Sequence, residues 1–170
     1  FHFKLQIIDC NKMNKFFITN FFALLLVAII GWSCSEEDFN SYPPEFSDVI
    51  FTTAEGSEEL TTGTPIVATI IQSQKGTLLN KTIYKWESEE DVSIATPSVE
   101  VVYDKENTNP SVSLVCTSPG SYKLKFTARY NISGQVVPTN YTKNIPQGKV
   151  TCTSSALFYD VVVEKNFRVR

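Results

Sequence analysis

The chain has 170 residues, a length that suits a single domain after any leader is removed, and its 15 basic and 18 acidic side chains give a net charge of −3. That mildly acidic balance, with no Lys/Arg cluster, argues against nucleic acid as a partner and against electrostatic attachment to anionic lipid. The single histidine, His2, lies at the far N-terminus, and there is no CxxC and no Gly-rich phosphate loop after a strand, which removes Ser-His-Asp and Cys-His catalysis and the commonest zinc ligand from the downstream chain.

Residues 1–12 precede the only methionine, Met13, and are read as lying upstream of the true start, which sets His2 and Cys10 aside. Lys12 and Lys15 then lead into an apolar run, interrupted at Thr19 and Asn20 and wholly apolar from 21 to 30. Positive charge stays on the cytoplasmic side while such a run enters the bilayer. Its core has the length of a signal h-region, whereas a stable spanning helix needs roughly 20 apolar residues. Residues 13–33 are therefore a signal peptide, with Gly31, Trp32 and Ser33 leading into Cys34. A small residue before a cysteine at the end of an h-region resembles the lipobox of bacterial lipoproteins. The resemblance implies that the Cys34 thiol takes a diacylglycerol, that the bond before it is cut, and that the new terminus is acylated. Ordinary signal cleavage nearby and an uncleaved anchor are the alternatives.

Residues 34–45 run from Cys34 through Ser35, Glu36, Glu37 and Asp38 and continue through Tyr42, Pro43 and Pro44. A short acidic, proline-containing stretch buries too little apolar surface to fold, so it is read as a flexible tether between lipid and domain. The acidic tract also resembles the export signal that follows the lipidated cysteine in Bacteroidetes-type surface lipoproteins, which implies display on the outer face of the outer membrane; a plain solvated linker is the other reading. With residues 1–33 removed, Lys4, Lys12, Lys15 and Asp9 go too, and the net charge falls to about −5.

From residue 46 onward the periodicity is that of strands. The sequence predicts them at 48–53, 65–72, 82–88 and 98–103. Next come Val112, Leu114 and Cys116 on one face, and then Tyr122, Leu124, Phe126, Ala128 and Tyr130 alternating with polar neighbours. Ser118, Pro119 and Gly120 supply turn chemistry between those two runs. A last long strand carries Leu157, Tyr159, Val161, Val163, Phe167 and Val169 on one parity. About seven strands separated by Gly, Pro, Asn and Ser turns, with no helical periodicity after Cys34, predict an all-β antiparallel sandwich.

The order of landmarks narrows the fold. Tyr84-Lys85-Trp86, then Gly120-Ser121-Tyr122-Lys123-Leu124, then Val161-Val162-Val163 resembles the immunoglobulin-like PKD family. In that family a Tyr-x-Trp strand packs its tryptophan into the core and a Gly-x-Tyr-x-Leu strand follows a tight turn. The resemblance implies an immunoglobulin-like domain over 46–170. Two stretches depart from the family pattern. Glu87-Ser88-Glu89-Glu90-Asp91 replaces its Gly-Asp-Gly turn, and 132–156 is a long insert before the last strand. Long loops in compact domains are more often functional or mobile than neutral, so the insert is both a candidate contact surface and a candidate disordered loop, with an extra hairpin as a further option.

Cys116 and Cys152 are an even pair in an oxidising compartment; they either form a disulfide that pins the insert to the sandwich or stand as two separate thiols. Glu87, Glu89, Glu90 and Asp91 are carboxylates of the kind that calcium takes, but a lone acidic run is far more often a solvated turn, so no metal or other cofactor is expected. Trp86, Tyr84, Tyr122 and Phe126 are read as core, while Tyr103, Tyr141 and Phe158 are less securely inward. Tyr141 and Tyr103 are the candidate ligand contacts, since an exposed ring face suits a sugar. These readings lead to a non-enzymatic, lipid-anchored envelope protein. Its partners would be the membrane and either a glycan or a neighbouring envelope protein. A spacer or scaffold subunit is the alternative role.

Overall fold

Alternation decides which side of each strand is buried, and stacking two such half-apolar sheets is how a chain without helices encloses a core. The computed structural model describes residues 39–102 and 109–170, which belong to one compact unit, Phe39–Arg170. The expected signal segment, Cys34 and Tyr103 lie outside the described residues.

Twelve strands are described: β1 (Asn40–Ser41), β2 (Glu45–Thr53), β3 (Ile66–Gln74), β4 (Leu79–Glu87), β5 (Val92–Ile94), β6 (Ser98–Val102), β7 (Ser111–Cys116), β8 (Gly120–Ile132), β9 (Gln135–Val136), β10 (Tyr141–Ile145), β11 (Gly148–Ser154) and β12 (Phe158–Val169). One sheet runs β10-β11-β12-β8-β4-β6 and the other β2-β3-β7-β5, while β1 and β9 form a short parallel pair. The chain is thus an all-β antiparallel sandwich, as the alternation predicts. Its neighbour relations are those of an immunoglobulin-like arrangement: β2, β3, β7 and β5 stand in the order A-B-E-D, and β12, β8 and β4 in the order G-F-C.

Two local features match that arrangement. Trp86, on the strand in the C position, is buried with its ring 4.6 Å from Phe126, which Phe46 meets edge-on at 6.1 Å. Near the start of β8, Tyr122 Oη donates to Ser118 O at 2.6 Å, which closes the β7–β8 corner with a tyrosine hydroxyl. The faces read from the sequence hold. Val112, Leu114 and Cys116 are buried, as are Tyr122, Leu124, Phe126, Ala128 and Tyr130, and Tyr159, Val161, Val163, Phe167 and Val169.

One open option is decided, in favour of the extra hairpin, and two expectations change. The insert over 132–156 is ordered sheet: β10 and β11 form a hairpin that pairs onto β12 and widens that sheet to six strands. Its turn holds Gln147 at a φ of 54°, and Gly148 lies where a Cβ would collide with Glu164 O, so the hairpin turn depends on a glycine at its exit. Leu157 belongs to the β11–β12 turn and is exposed rather than inward, because β12 begins only at Phe158. Finally, the stretch read as tether through residue 45 is docked from Asn40 onward. Ser41 is fully buried; its Oγ donates to Leu78 O at 3.0 Å and accepts from Gly134 N at 3.1 Å. A proline-rich acidic stretch gives no apolar signal for such docking, which rests on hydroxyl and backbone bonds.

Candidate binding surface

The outer face of the six-stranded sheet is the largest regular surface the insert creates. Register places Thr142, Thr151, Val162, Thr127, Lys85 and Ser98 in one row across it. At about 4.8 Å per strand the row spans about 24 Å. On one side runs Asn144, Lys149, Glu164, Lys125 and Glu87; on the other, Thr153, Asp160, Arg129, Ile83 and Glu100.

Those flanking rows neutralise their own charge. Lys149 Nζ meets Glu164 Oε2 at 3.2 Å, and Glu87 takes Lys85 at 2.6 Å and Lys125 at 3.1 Å. The Lys85 and Lys125 bonds hold the Glu87 carboxyl below its ordinary pKa. Arg129 grips Asp160 through two bonds of 2.7 and 2.8 Å, which raise its pKa, and its guanidinium covers the Phe158 ring at 4.1 Å. The Phe158 face is therefore occupied. What the sheet leaves between its ion pairs is a stripe of threonine hydroxyls, with Thr142 and Thr151 Oγ1 atoms 3.4 Å apart.

Of the two tyrosines read as ligand contacts, Tyr103 lies outside the described residues and Tyr141 is half-buried on β10, packed against the core. The Tyr141 hydroxyl is buried with no hydrogen-bond partner. Burial pushes its pKa up to about 12, with Cys152 and Glu45 adding to the rise. Cys152, its partner in register, is fully buried and also pushed up to about 12 by burial, with smaller contributions from Asp160 and Glu45.

The disulfide reading meets a geometric obstacle, and both thiols are free. Gly63 N donates to Cys116 O and Thr62 N to Arg170 O, so Cys116 sits beside the end of β12. Cys152 instead pairs with Val161, nine residues earlier and about 30 Å back along that strand. A bridge needs Cα atoms within about 7 Å. Two residues on different sheets, buried toward opposite ends of the sandwich, each serve as core.

Sequence reasoning missed Lys165. It occupies an inward position on β12 between Val163 and Phe167, and its Nζ meets Asp48 Oδ1 of β2 at 2.5 Å across the open flank of the sandwich. A register shift in β2 between Phe46 and Asp48 interrupts the ladder at this point. The pair borders an open groove of about 430 Å³ lined in part by Phe51, Leu60, Phe167 and Arg168. A lysine on an otherwise apolar parity was the available signal.

The acidic run is engaged at its two ends by neighbouring elements. Glu87 is paired as above, and Asp91 Oδ2 accepts from Ser118 Oγ at 2.9 Å while Asp91 O accepts from Thr117 N. Among the described residues, no three His, Cys, Asp or Glu side chains converge as a cation site. The chain matches no protein-family model, no curated protein and no solved structure.

Proposed function

We propose that this is a lipid-anchored cell-envelope protein, attached through Cys34 to the outer membrane and displayed at the surface, whose immunoglobulin-like sandwich is a non-catalytic binding or adhesion module. The signal-like run, Cys34 and the acidic tract after it support the anchoring. The observation that carries the binding role is the widened sheet, because a hairpin added at β10–β11 extends a flat hydroxyl-bearing stripe whose neighbouring charges are already paired. Such a stripe suits an uncharged, hydroxyl-rich ligand, a glycan, better than a charged one, since the charges in the two rows that flank it are paired with one another or with a neighbouring lysine.

The test is glycan-array binding by the purified chain from Cys34 to Arg170, repeated with Thr127→Glu and Thr151→Glu. The reading expects a glycan signal that both substitutions abolish while the melting temperature holds. Binding unaffected by either change would move the site elsewhere, and no glycan signal together with capture of one envelope protein would replace the ligand class. A spacer role is the second reading, favoured by the junction at Ser41, which fixes the chain to the sandwich from Asn40 onward.

A further inference from the structure

The exposed apolar side chains are not scattered. Val102, Leu157 and Phe39 are the three most exposed large hydrophobic residues described, at 81, 74 and 67 %, and all three lie at one end of the sandwich. Register fixes that end: β4 begins there, β8 and β11 finish there and β12 starts there, with Leu79 opposite Ile132, Phe158 opposite Asn131 and Val102 opposite Lys81. Phe39 and Leu157 are close neighbours across one turn, since Phe39 O accepts from Gln135 N at 2.7 Å and Leu157 O from Ile132 N at 3.0 Å.

The same end is short of charge. Residues 39–44, 76–80, 131–142 and 151–159 contain no Asp, Glu, Lys or Arg, although Lys75 stands at the rim in the β3–β4 turn, Glu45 opens β2 and Lys81, paired with Glu100, stands opposite Val102. The connection 103–108, which carries Asp104, Lys105 and Glu106, lies outside the described residues. At the opposite end, the connections after β2 and β4 hold Glu55, Glu58, Glu59, Glu89, Glu90 and Asp91, with Lys123, Arg168 and Arg170 against them.

We infer that the uncharged end is a foot that rests on the phospholipid bilayer, with Phe39 and Leu157 set into its interface. The inference rests on the anchoring at Cys34 proposed above. Five residue steps lead from Cys34 to Phe39, a reach of about 17 Å at full extension, so acyl chains on Cys34 hold this end and no other against the headgroups. Aromatic and aliphatic tips gain from leaving water there, and an end with few charges loses little by desolvation. The acidic end is repelled by anionic lipid, which biases the domain to the same orientation. The broad six-stranded face then stands upright, away from the membrane plane.

The experiment couples the chain from Cys34 to Arg170, through the Cys34 thiol, to a maleimide-headgroup phospholipid in phosphatidylethanolamine/phosphatidylglycerol vesicles with brominated acyl chains. Cys116 and Cys152 are fully buried and stay unlabelled, and Trp86 gives a constant buried background. Leu157→Trp is expected to emit at shorter wavelength once tethered and to be quenched by bromolipid at least threefold more than Glu90→Trp at the far end. On the unsubstituted tethered chain, amide exchange at 39–42 and 155–158 is expected to slow relative to the free chain. Equal quenching at the two ends, or unchanged exchange, overturns the inference. A blue shift of Leu157→Trp in free solution that grows with protein concentration also overturns it, by giving the foot to a second copy. Because the tether is chemical, a failure of cells to lipidate Cys34 would remove the anchoring proposal while leaving this measurement readable.

Discussion

The two ends of the sandwich bury their closing contacts to different depths. At the end where the chain arrives from Cys34, closure depends on side-chain hydroxyls: Ser41 Oγ bridges Leu78 O and Gly134 N, and Tyr159 Oη donates to Ser41 O at 2.5 Å while accepting from Val137 N at 3.0 Å. Leu78 holds a left-handed φ of 48° to offer that carbonyl, a conformation that costs a non-glycine residue about 1 kcal/mol. At the far end backbone bonds tie the last strand to its neighbours, with Arg170 N donating to Leu60 O, Thr62 N to Arg170 O and Gly63 N to Cys116 O, and the hydroxyls that help, Tyr122 Oη to Ser118 O and Ser118 Oγ to Asp91, serve solvent-facing turns. The contrast has a physical reason. Polar groups in exposed turns at the far end stay within reach of solvent, whereas the buried Ser41 and Tyr159 need partners inside the protein.

The far half also contains one buried charge, and breaking it gives the largest expected effect. Asp48→Ala leaves Lys165, with 9 % of its side chain exposed, without its carboxylate. Stranding a buried ion costs about 3 to 5 kcal/mol, which lowers the melting temperature by on the order of 10 °C. Adding Lys165→Met removes the stranded charge and is expected to recover most of that loss in thermal or urea unfolding. A single-mutant cost below about 1 kcal/mol would mean that water in the flanking groove already serves Lys165.

A matched pair of hydroxyl deletions compares the ends directly. Tyr159→Phe takes away the donor to Ser41 O and is expected to cost about 1 to 3 kcal/mol, because a buried carbonyl loses a partner. Tyr122→Phe removes the corner bond to Ser118 O beside exposed turns and is expected to cost about 1 kcal/mol. Hydrogen exchange locates each loss. The first change should free amides at 39–42 and 134–137, the second those at 117–121, and a reversed pattern would undo the account of how each end is held.

Much of this frame was legible because its signals are local. Tyr122 to Tyr130 alternates without exception and is buried as alternation requires, and Trp86 sits on the strand that the Tyr-x-Trp pattern marked. The hairpin was legible only as one option for a long insert, for reasons its residues show. In Tyr141–Ile145 only Ile145 is fully buried, and the turn uses Gln147 where a left-handed position normally advertises itself with Gly or Asn. The docking of Ser41 and the Lys165–Asp48 pair join residues 37 and more positions apart through polar atoms, and no periodicity in one segment reports a partner in another. The candidate surface follows the same rule. Its threonines were visible singly, but the row exists only after register aligns four strands.

Alkaline titration sharpens the contrast further, since Tyr141 and Cys152 both lie in the half nearer the uncharged end. Their folded pKa values near 12 exceed ordinary values of 10.0 and 9.0, so the native state favours the protonated forms. The stability tied to them is complete below about pH 9 and is lost as pH rises toward 12. The melting temperature is expected to fall over that window, and the slope to flatten in Tyr141→Phe with Cys152→Ala. Tyr141→Phe alone should also raise stability near neutral pH by about 1 kcal/mol, since it deletes a buried hydroxyl with no partner. An unchanged alkaline slope in the double variant would assign the loss to other groups.

The smallest effect belongs to the outer face of the six-stranded sheet, where exposed charges pair in solvent. Glu87 is 40 % exposed beside Lys85 and Lys125, and its lowered carboxyl pKa means that its contribution is present above its ordinary pKa of 4.5 and fades as pH falls through the folded value. Exposed pairs of this kind are screened by salt and worth little. Glu87→Gln is therefore expected to shift the melting temperature by about 1 °C at most, with less effect in high salt than in low. A larger, salt-insensitive loss would show that the ion-pair rows hold the sheet together; a small one leaves them the task of cancelling charge beside the threonine stripe, which is what an uncharged ligand requires of its surroundings.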